Sequence, residues 1–202
     1  MDAFATLGFL LFAATMVATP GPANMVLMAG GARFGFRAVL PFVCGVALGK
    51  QLIIWPLGLG VMSAASLTPM AVVLLRWASV AYILWLAWKV LGLRLSRAHT
   101  PTAKAPGFVA GLVVHPLNPK AWVMITTGLT TFTGSAAAAV PAVLTISLCL
   151  LACQAVFHPL WAYAGAKIAA LVAGRAAERC LMGVLAVVMV GSVLWALVAA
   201  GG

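Results

Sequence analysis

The feature that most constrains this chain is a Pro-Gly-Pro interruption inside a long apolar run near its start. Residues 19–24 (Thr-Pro-Gly-Pro-Ala-Asn) lie within hydrophobic sequence that extends from about residue 3 to about residue 32. Proline lacks a backbone donor and blocks the carbonyl one turn earlier, so a regular helix should break here. In a bilayer, broken helix is tolerated only inside protein or against a watery cavity. The interruption is therefore a candidate substrate site, and the alternative is an ordinary proline kink.

Composition indicates an integral membrane protein. Of 202 residues, 65% are hydrophobic and 7% are charged, and the mean hydropathy is +1.17. Soluble domains carry about 25% charged residues, so this chain has too little polar surface to cover a water-facing globule. The net charge of +10 does not indicate a nucleic-acid partner, because the basic residues lie between apolar runs and form no patch.

The apolar runs predict an all-α fold of six transmembrane helices. Each run has roughly the 20 residues that a helix needs to cross a bilayer. We expect the first to be a retained helix, because only Met1 and Asp2 precede it and a signal peptide needs a positive leader. The predicted spans cover about residues 3–32, 38–62, 68–95, 107–132, 138–163 and 177–200.

The two halves of the chain share one layout. A second interruption, residues 115–120 (His-Pro-Leu-Asn-Pro-Lys), lies in the first apolar run of the second half. One matched interruption per half is typical of transporters built from inverted repeats, with the binding site between the repeats. We predict a single transport domain over residues 1–202, made of two inverted three-helix repeats. The repeats cover about 1–95 and 107–202, and a cytoplasmic linker at about 96–106 joins them.

Basic residues between the runs predict the orientation. With six spans, the loops that carry them all face one side, which the positive-inside rule assigns to the cytoplasm. Both termini are then expected outside. The residues in question are Arg33 and Arg37 in the first such loop, Arg94, Arg97 and Lys104 in the second, and Lys167, Arg175 and Arg179 in the third.

Buried cations and amides at the interruptions predict the substrate class. A cation near the bilayer centre costs at least about 2.5 kcal/mol, so Lys50 and Lys120 are candidates to face a cavity, although Lys120 is equally suited to stabilising freed carbonyls. No predicted span contains an acid in its interior, since Glu178 lies at the edge of the sixth, which favours a carboxylate, zwitterion or anion. Helix amino ends and Asn amides add further partners. The predicted substrate-binding residues are Pro20, Gly21, Pro22, Asn24, Lys50, Asn118, Pro119 and Lys120.

Three further residues are candidates for proton coupling. His115 and His158 each precede a proline inside an apolar run, and histidine titrates near neutral pH. Gln154 is a polar residue of the fifth span that lines the pathway or bridges helices. Lys50 is another candidate, and a hydrogen-bonded structural role is the alternative for either histidine alone.

We predict no cofactor, metal site or catalytic residue. The cysteines are expected to be packing residues, and the spacing of Cys149, Cys153 and His158 matches no common metal site. The glycine spacings Gly31-x-x-x-Gly35 and Gly45-x-x-x-Gly49 permit close helix contact, either within the chain or in a homodimer.

These motifs resemble the LysE/RhtB family of amino-acid exporters. Residues 19–24 are similar to the family's Ser/Thr-Pro-Gly-Pro motif in its first helix. Residues 107–111, followed by Asn118-Pro119-Lys120-Ala121, are similar to its fourth-helix signature. Gly31 to Gly49 and residues 77–86 resemble its glycine-spaced continuation and its third-helix pattern.

The resemblance implies a six-helix exporter of amino acids or related metabolites in the bacterial inner membrane, driven by an ion gradient. Members often carry an Asp near the position of Gln154, and Lys50 is not expected from the family pattern. These departures favour a neutral or acidic amino acid over lysine or arginine. The resemblance places at the core of the transport site Pro20, Gly21, Pro22, Asn118, Pro119 and Lys120.

The leading hypothesis is proton-coupled secondary export of an amino acid or analogue by alternating access. One alternative is export of another small anion or a toxic metabolite. A second is a non-transport membrane role, as a lipid-handling enzyme or an assembly subunit. The lack of acids in the spans and the matched interruptions argue against an enzyme.

Overall fold

The computed structural model describes residues 1–60, 69–95, 104–133 and 140–199, and within these ranges all regular structure is α-helical. Most of the predicted linker at 96–106, including Arg97, lies outside the described residues. The helices are α1 Ala3–Ala18, α2 Pro22–Phe34, α3 Phe36–Gly49, α4 Gln51–Gly58, α5 Pro69–Leu91, α6 Phe108–Leu112, α7 Pro119–Thr133, α8 Val140–Val172 and α9 Ala176–Ala199.

Four stretches of these helices are long and apolar enough to cross a membrane, and a fifth is formed if α1 and α2 count as one bent span. The segment that contains α6 and α7 is not among them, so the prediction of six spans in inverted repeats stays a prediction. The four stretches are Phe36–Gly58, Val73–Leu91, Val140–Val172 and Ala176–Trp195.

The first interruption breaks its helix as predicted. Asp2 caps the start of α1, and its side chain accepts a hydrogen bond from the Ala5 amide at 2.7 Å. It ends at Ala18, and α2 begins at Pro22 after a bend of 51°. Proline is tolerated at the first position of a helix, where its missing donor would have no partner. The bend therefore follows from the Pro-Gly-Pro sequence itself.

The second interruption lies two residues earlier than predicted. α6 ends at Leu112 and α7 begins at Pro119, so the break covers residues 113–118, whereas the sequence predicted residues 115–120. Pro116 and Pro119 each remove a backbone donor, which explains why residues 113–118 form turns and no α-helix.

The helices extend into two of the predicted basic loops. Arg33 lies in α2 and Arg37 in α3, and the two helices meet at Gly35, whose φ of 82° favours glycine. α8 continues through Pro159 to Val172, past the predicted end at residue 163, so Lys167 is helical. A helix of 33 residues spans about 50 Å, which is longer than the hydrocarbon core of about 30 Å.

Glycines set the closest helix contacts. Gly31 of α2 faces the Ala162 carbonyl of α8, and Gly165 of α8 faces the Met28 carbonyl of α2. Any side chain at either glycine would overlap the opposing backbone, so both positions allow α2 and α8 to pack closely.

Glycines also allow α3 and α6 to pack closely. Gly45 and Gly49 face the carbonyls of Phe108 and Leu112, and Gly111 faces the carbonyl of Phe42. The predicted spacing Gly45-x-x-x-Gly49 therefore serves contact between helices of the same chain. α2 begins at the first interruption and α6 ends at the second, so these contacts fix one helix beside each break.

Candidate functional site

The two interruptions are in direct contact. Lys120, in the first turn of α7, donates from Nζ to Thr19 Oγ1 at 2.8 Å. Its ammonium also lies 3.3 Å from the carbonyl oxygens of Thr19 and Pro20. A Cβ added at Gly21 would lie 3.1 Å from Lys120 Cδ. One lysine from the second half of the chain therefore stabilises the backbone that the Pro-Gly-Pro break exposes in the first half.

Asn24 secures the same break from the other side. Its Nδ2 donates to the carbonyl of Val17 at 2.7 Å and to that of Thr19 at 2.9 Å. The last carbonyls of a helix have no partner within it, and Asn24 is buried. The amide therefore satisfies acceptors at the end of α1 that would otherwise be unpaired inside the protein.

Asn118 has the opposite hydrogen-bonding role at the second interruption. Its Oδ1 accepts a hydrogen bond from the Lys120 amide at 3.1 Å, which caps the start of α7. Trp122 Nε1 donates to the Pro116 carbonyl at 2.9 Å. The second break is thus fixed by side chains of its own segment, with Asn118 as an acceptor where Asn24 is a donor.

A small cavity lies between the two breaks. The space open to the centres of water molecules is about 30 Å³, enough for one or two waters. Its apolar lining includes Met16, Val17 and Met124. Its polar lining comes from both halves of the chain and consists of Asn24, Lys50, His115, Asn118, Lys120 and His158.

Lys50 is the second lysine in the lining of the cavity. It lies at the junction of α3 and α4 and is only 2% exposed. Among the described residues, none accepts a hydrogen bond from its ammonium. A buried charge needs a polar partner, which makes Lys50 a candidate to contact a group bound in the cavity that it lines.

The three proton-coupling candidates form one buried cluster. The rings of His115 and His158 stack with centroids 5.6 Å apart and an interplanar angle of 27°. Gln154 Nε2 lies 3.4 Å from His115 Nε2. Within the described part of the chain, neither histidine Nδ1 atom nor the Gln154 Oε1 atom has a hydrogen-bond partner. The two histidine rings line the cavity, and Gln154 lies behind them, in contact with His115.

Some of the predicted site residues do not line the cavity. Pro20, Pro22 and Pro119 shape the breaks, and Gln154 reaches the site only through His115. Neither acid of the chain is present there. Asp2 caps α1, and Glu178 accepts hydrogen bonds from the amides of Leu95 and Gly174, each at 2.8 Å. The cavity lining is therefore cationic and neutral.

Sequence reasoning missed the methionines of the lining. Met124 follows Lys120 by four residues and shares its face of α7, so the helical period was the signal that could have identified it. Met16 belongs to α1, which is apolar on all sides, and its sequence carries no comparable signal.

Comparison with known proteins identifies one family. The LysE type translocator family model matches residues 14–198. The cysteine/O-acetylserine efflux protein of Escherichia coli (strain K12) is 34% identical over 154 residues, covering 73% of this chain and 75% of that protein. Proteins with the same name in Shigella flexneri and Shigella sonnei (strain Ss046) match to the same extent. No solved structure matches the chain.

Replacing Asn by Asp should affect stability differently at positions 24 and 118, because Asn24 donates hydrogen bonds and Asn118 accepts one. Asn24→Asp removes the amide donor that two carbonyls share, so it should lower the thermal unfolding midpoint in detergent. The Thr19 carbonyl keeps its contact with Lys120, so the loss should be on the order of 1–3 kcal/mol for the Val17 carbonyl. Asn118→Asp keeps the acceptor that caps α7 and should unfold near the wild-type temperature. Equal midpoints for the two variants would contradict these roles.

Proposed function

This chain belongs to the LysE type translocator family, and we propose that it is a secondary active exporter of amino acids or close analogues. The single observation that carries the proposal is the cavity where the two interruptions meet, lined by Lys50, Lys120 and two Asn side chains. Among the described residues no carboxylate lines it. This lining favours a neutral or acidic substrate over a basic one. The names of the cysteine/O-acetylserine efflux relatives also support a small, uncharged side chain.

The lining suggests how each end of an amino acid is held. We propose that the substrate carboxylate pairs with Lys50, the buried ammonium that has no acceptor among the described residues. The substrate ammonium then competes with Lys120 for the oxygens of Thr19 and Pro20, to which Lys120 is already bonded. The two ammonium groups are chemically alike, so the same acceptors suit both.

This competition links binding to movement. Lys120 joins the start of α7 to the end of α1, so displacing it removes a bond between the two halves of the chain. We propose that release of this bond lets the halves move relative to each other and exposes the cavity to the opposite side. Broken helices around a fixed central site are the usual basis of alternating access.

The helix contacts support the inverted-repeat architecture. In our proposal α1 and α2 correspond to α6 and α7, α3 and α4 correspond to α8, and α5 corresponds to α9. α1 and α2 then pack on α8 as α6 and α7 pack on α3 and α4. α5 packs on its own counterpart, α9. The proposal therefore keeps six spans, a cytoplasmic linker near 96–106 and both termini outside the bacterial inner membrane.

The histidine cluster supports proton coupling. His115 and His158 line the same cavity as Lys50, so a proton on either ring lies beside the proposed position of the carboxylate. We propose that a proton enters this cluster as substrate leaves, with Gln154 orienting His115. Histidine is suited to the role because it gains and loses a proton near neutral pH.

Transport by purified protein in liposomes tests the function. A pH gradient should drive accumulation of cysteine, O-acetylserine or glutamate, and lysine should not accumulate. Lys50→Ala should lower the flux by about 10- to 150-fold, the loss expected for one charge-assisted bond of about 1.5–3 kcal/mol.

Lys167→Ala is the matched control, because Lys167 is exposed on α8 and stacks on Tyr163 away from the cavity. Full transport by the Lys50 variant would remove that lysine from the mechanism. Flux of an inorganic anion, with no flux of any amino acid, would favour the alternative that the protein exports another small anion.

A second variant separates proton coupling from substrate binding. His115→Gln keeps a polar side chain of similar reach but cannot carry a proton at neutral pH. Exchange of labelled for unlabelled substrate should persist, whereas accumulation driven by a pH gradient should be lost. If the variant accumulates substrate normally, His115 is not the coupling group.

A further inference from the structure

A second cavity lies apart from the candidate transport site. Its volume is about 650 Å³, and it shares no lining residue with the cavity between the interruptions. α2 and α5 form its two long walls, and α3 and the segment around α6 complete it. Most of the lining is apolar, including Val26, Phe34, Phe42, Trp85, Leu86 and Val113.

The crevice has the length of one membrane leaflet. Its lining extends from Val26 to Phe34 on α2 and from Tyr82 to Val90 on α5. Eight residues of helix rise about 12 Å, close to the roughly 15 Å of hydrocarbon in one leaflet. Trp85 is 44% exposed, so the crevice opens toward the outside of the bundle. An extended acyl chain has the right length and chemistry for this space, whereas a zwitterionic amino acid does not.

The crevice also has a cationic part. Lys89 and Lys104 are exposed and both contribute to its lining. The Lys89 ammonium lies 4.0 Å from the centre of the Trp85 ring, a cation–π contact that holds the charge beside the apolar wall. Neither acid of the chain lines the crevice. A lysine stacked on a tryptophan is a combination that membrane proteins place at the level of lipid headgroups, and Lys104 adds a second cation to the lining.

We propose that this crevice binds one anionic phospholipid. An acyl chain lies between α2 and α5, and the headgroup phosphate bonds Lys89 and Lys104. Charge complementarity selects an anionic lipid over a zwitterionic one, because basic residues at the membrane surface attract anionic headgroups. The inference does not depend on the transported substrate. It identifies a site on α2, the helix that begins at the first interruption.

Native mass spectrometry of the detergent-purified protein tests the site. The protein is titrated with phosphatidylglycerol and, separately, with phosphatidylcholine that carries the same acyl chains. One phosphatidylglycerol should be retained about tenfold more tightly than phosphatidylcholine. Equal retention of the two lipids would overturn the proposal. Inorganic phosphate should not displace the lipid, and displacement by phosphate alone would indicate a free-anion site instead.

Variants locate the lipid on the protein. Lys89→Gln combined with Lys104→Gln should abolish the preference for phosphatidylglycerol. Lys167→Gln is the matched control, because Lys167 also stacks on an aromatic ring, that of Tyr163 at 5.3 Å, but lies outside the crevice. Ala110→Trp fills the exposed part of the apolar lining without changing the charge, and should lower retention of both lipids.

An unchanged elution volume and unfolding temperature show that each variant is folded. If the double lysine variant keeps the preference while Lys167→Gln loses it, the lipid binds elsewhere and the proposed crevice is wrong.

Discussion

Carbonyl groups left without helical partners are the constraint on which the rest of this structure depends. Inside a membrane protein each unpaired backbone group costs several kcal/mol, and the Pro-Gly-Pro sequence creates several at the end of α1. Asn24 and Lys120 supply the donors that satisfy them. Asn24 belongs to the same half of the chain as the break, but Lys120 belongs to the other half. The bonds that make the first break tolerable therefore also hold the two breaks together.

That arrangement gives the site its chemistry. Main-chain oxygens held by a lysine ammonium are acceptors that a substrate ammonium can also use, so in the proposed mechanism binding of substrate releases the bridge between the halves. Lys50 and the stacked pair of His115 and His158 meet the same small cavity. The proposal therefore places the substrate carboxylate, the coupling proton and the bridge between the halves at one site.

The helix breaks could be predicted from the local sequence, whereas the pairing of the helices was harder to predict. Proline rules located both interruptions, and the cost of a buried charge singled out Lys50 and Lys120. The extent of α8 beyond residue 163, the helical position of Arg33 and the lining by Met16 did not follow from the sequence. Helices in a bilayer are apolar toward lipid and toward each other. Sequence periodicity therefore does not show which face of α1 meets the site or which faces of α2 and α5 form the crevice.

Accessibility of the cavity to a water-soluble reagent tests the central claim most directly. In a background with the four native cysteines replaced by Ala, Met124→Cys places a thiol in the lining of the cavity, while Ile125→Cys places one in the adjacent buried core. We expect a charged methanethiosulfonate to modify the Met124→Cys protein and the transported amino acid to slow this reaction. The Ile125→Cys protein should be inert. Equal reactivity of the two variants, or a reaction that substrate does not slow, would contradict a binding chamber between the two interruptions.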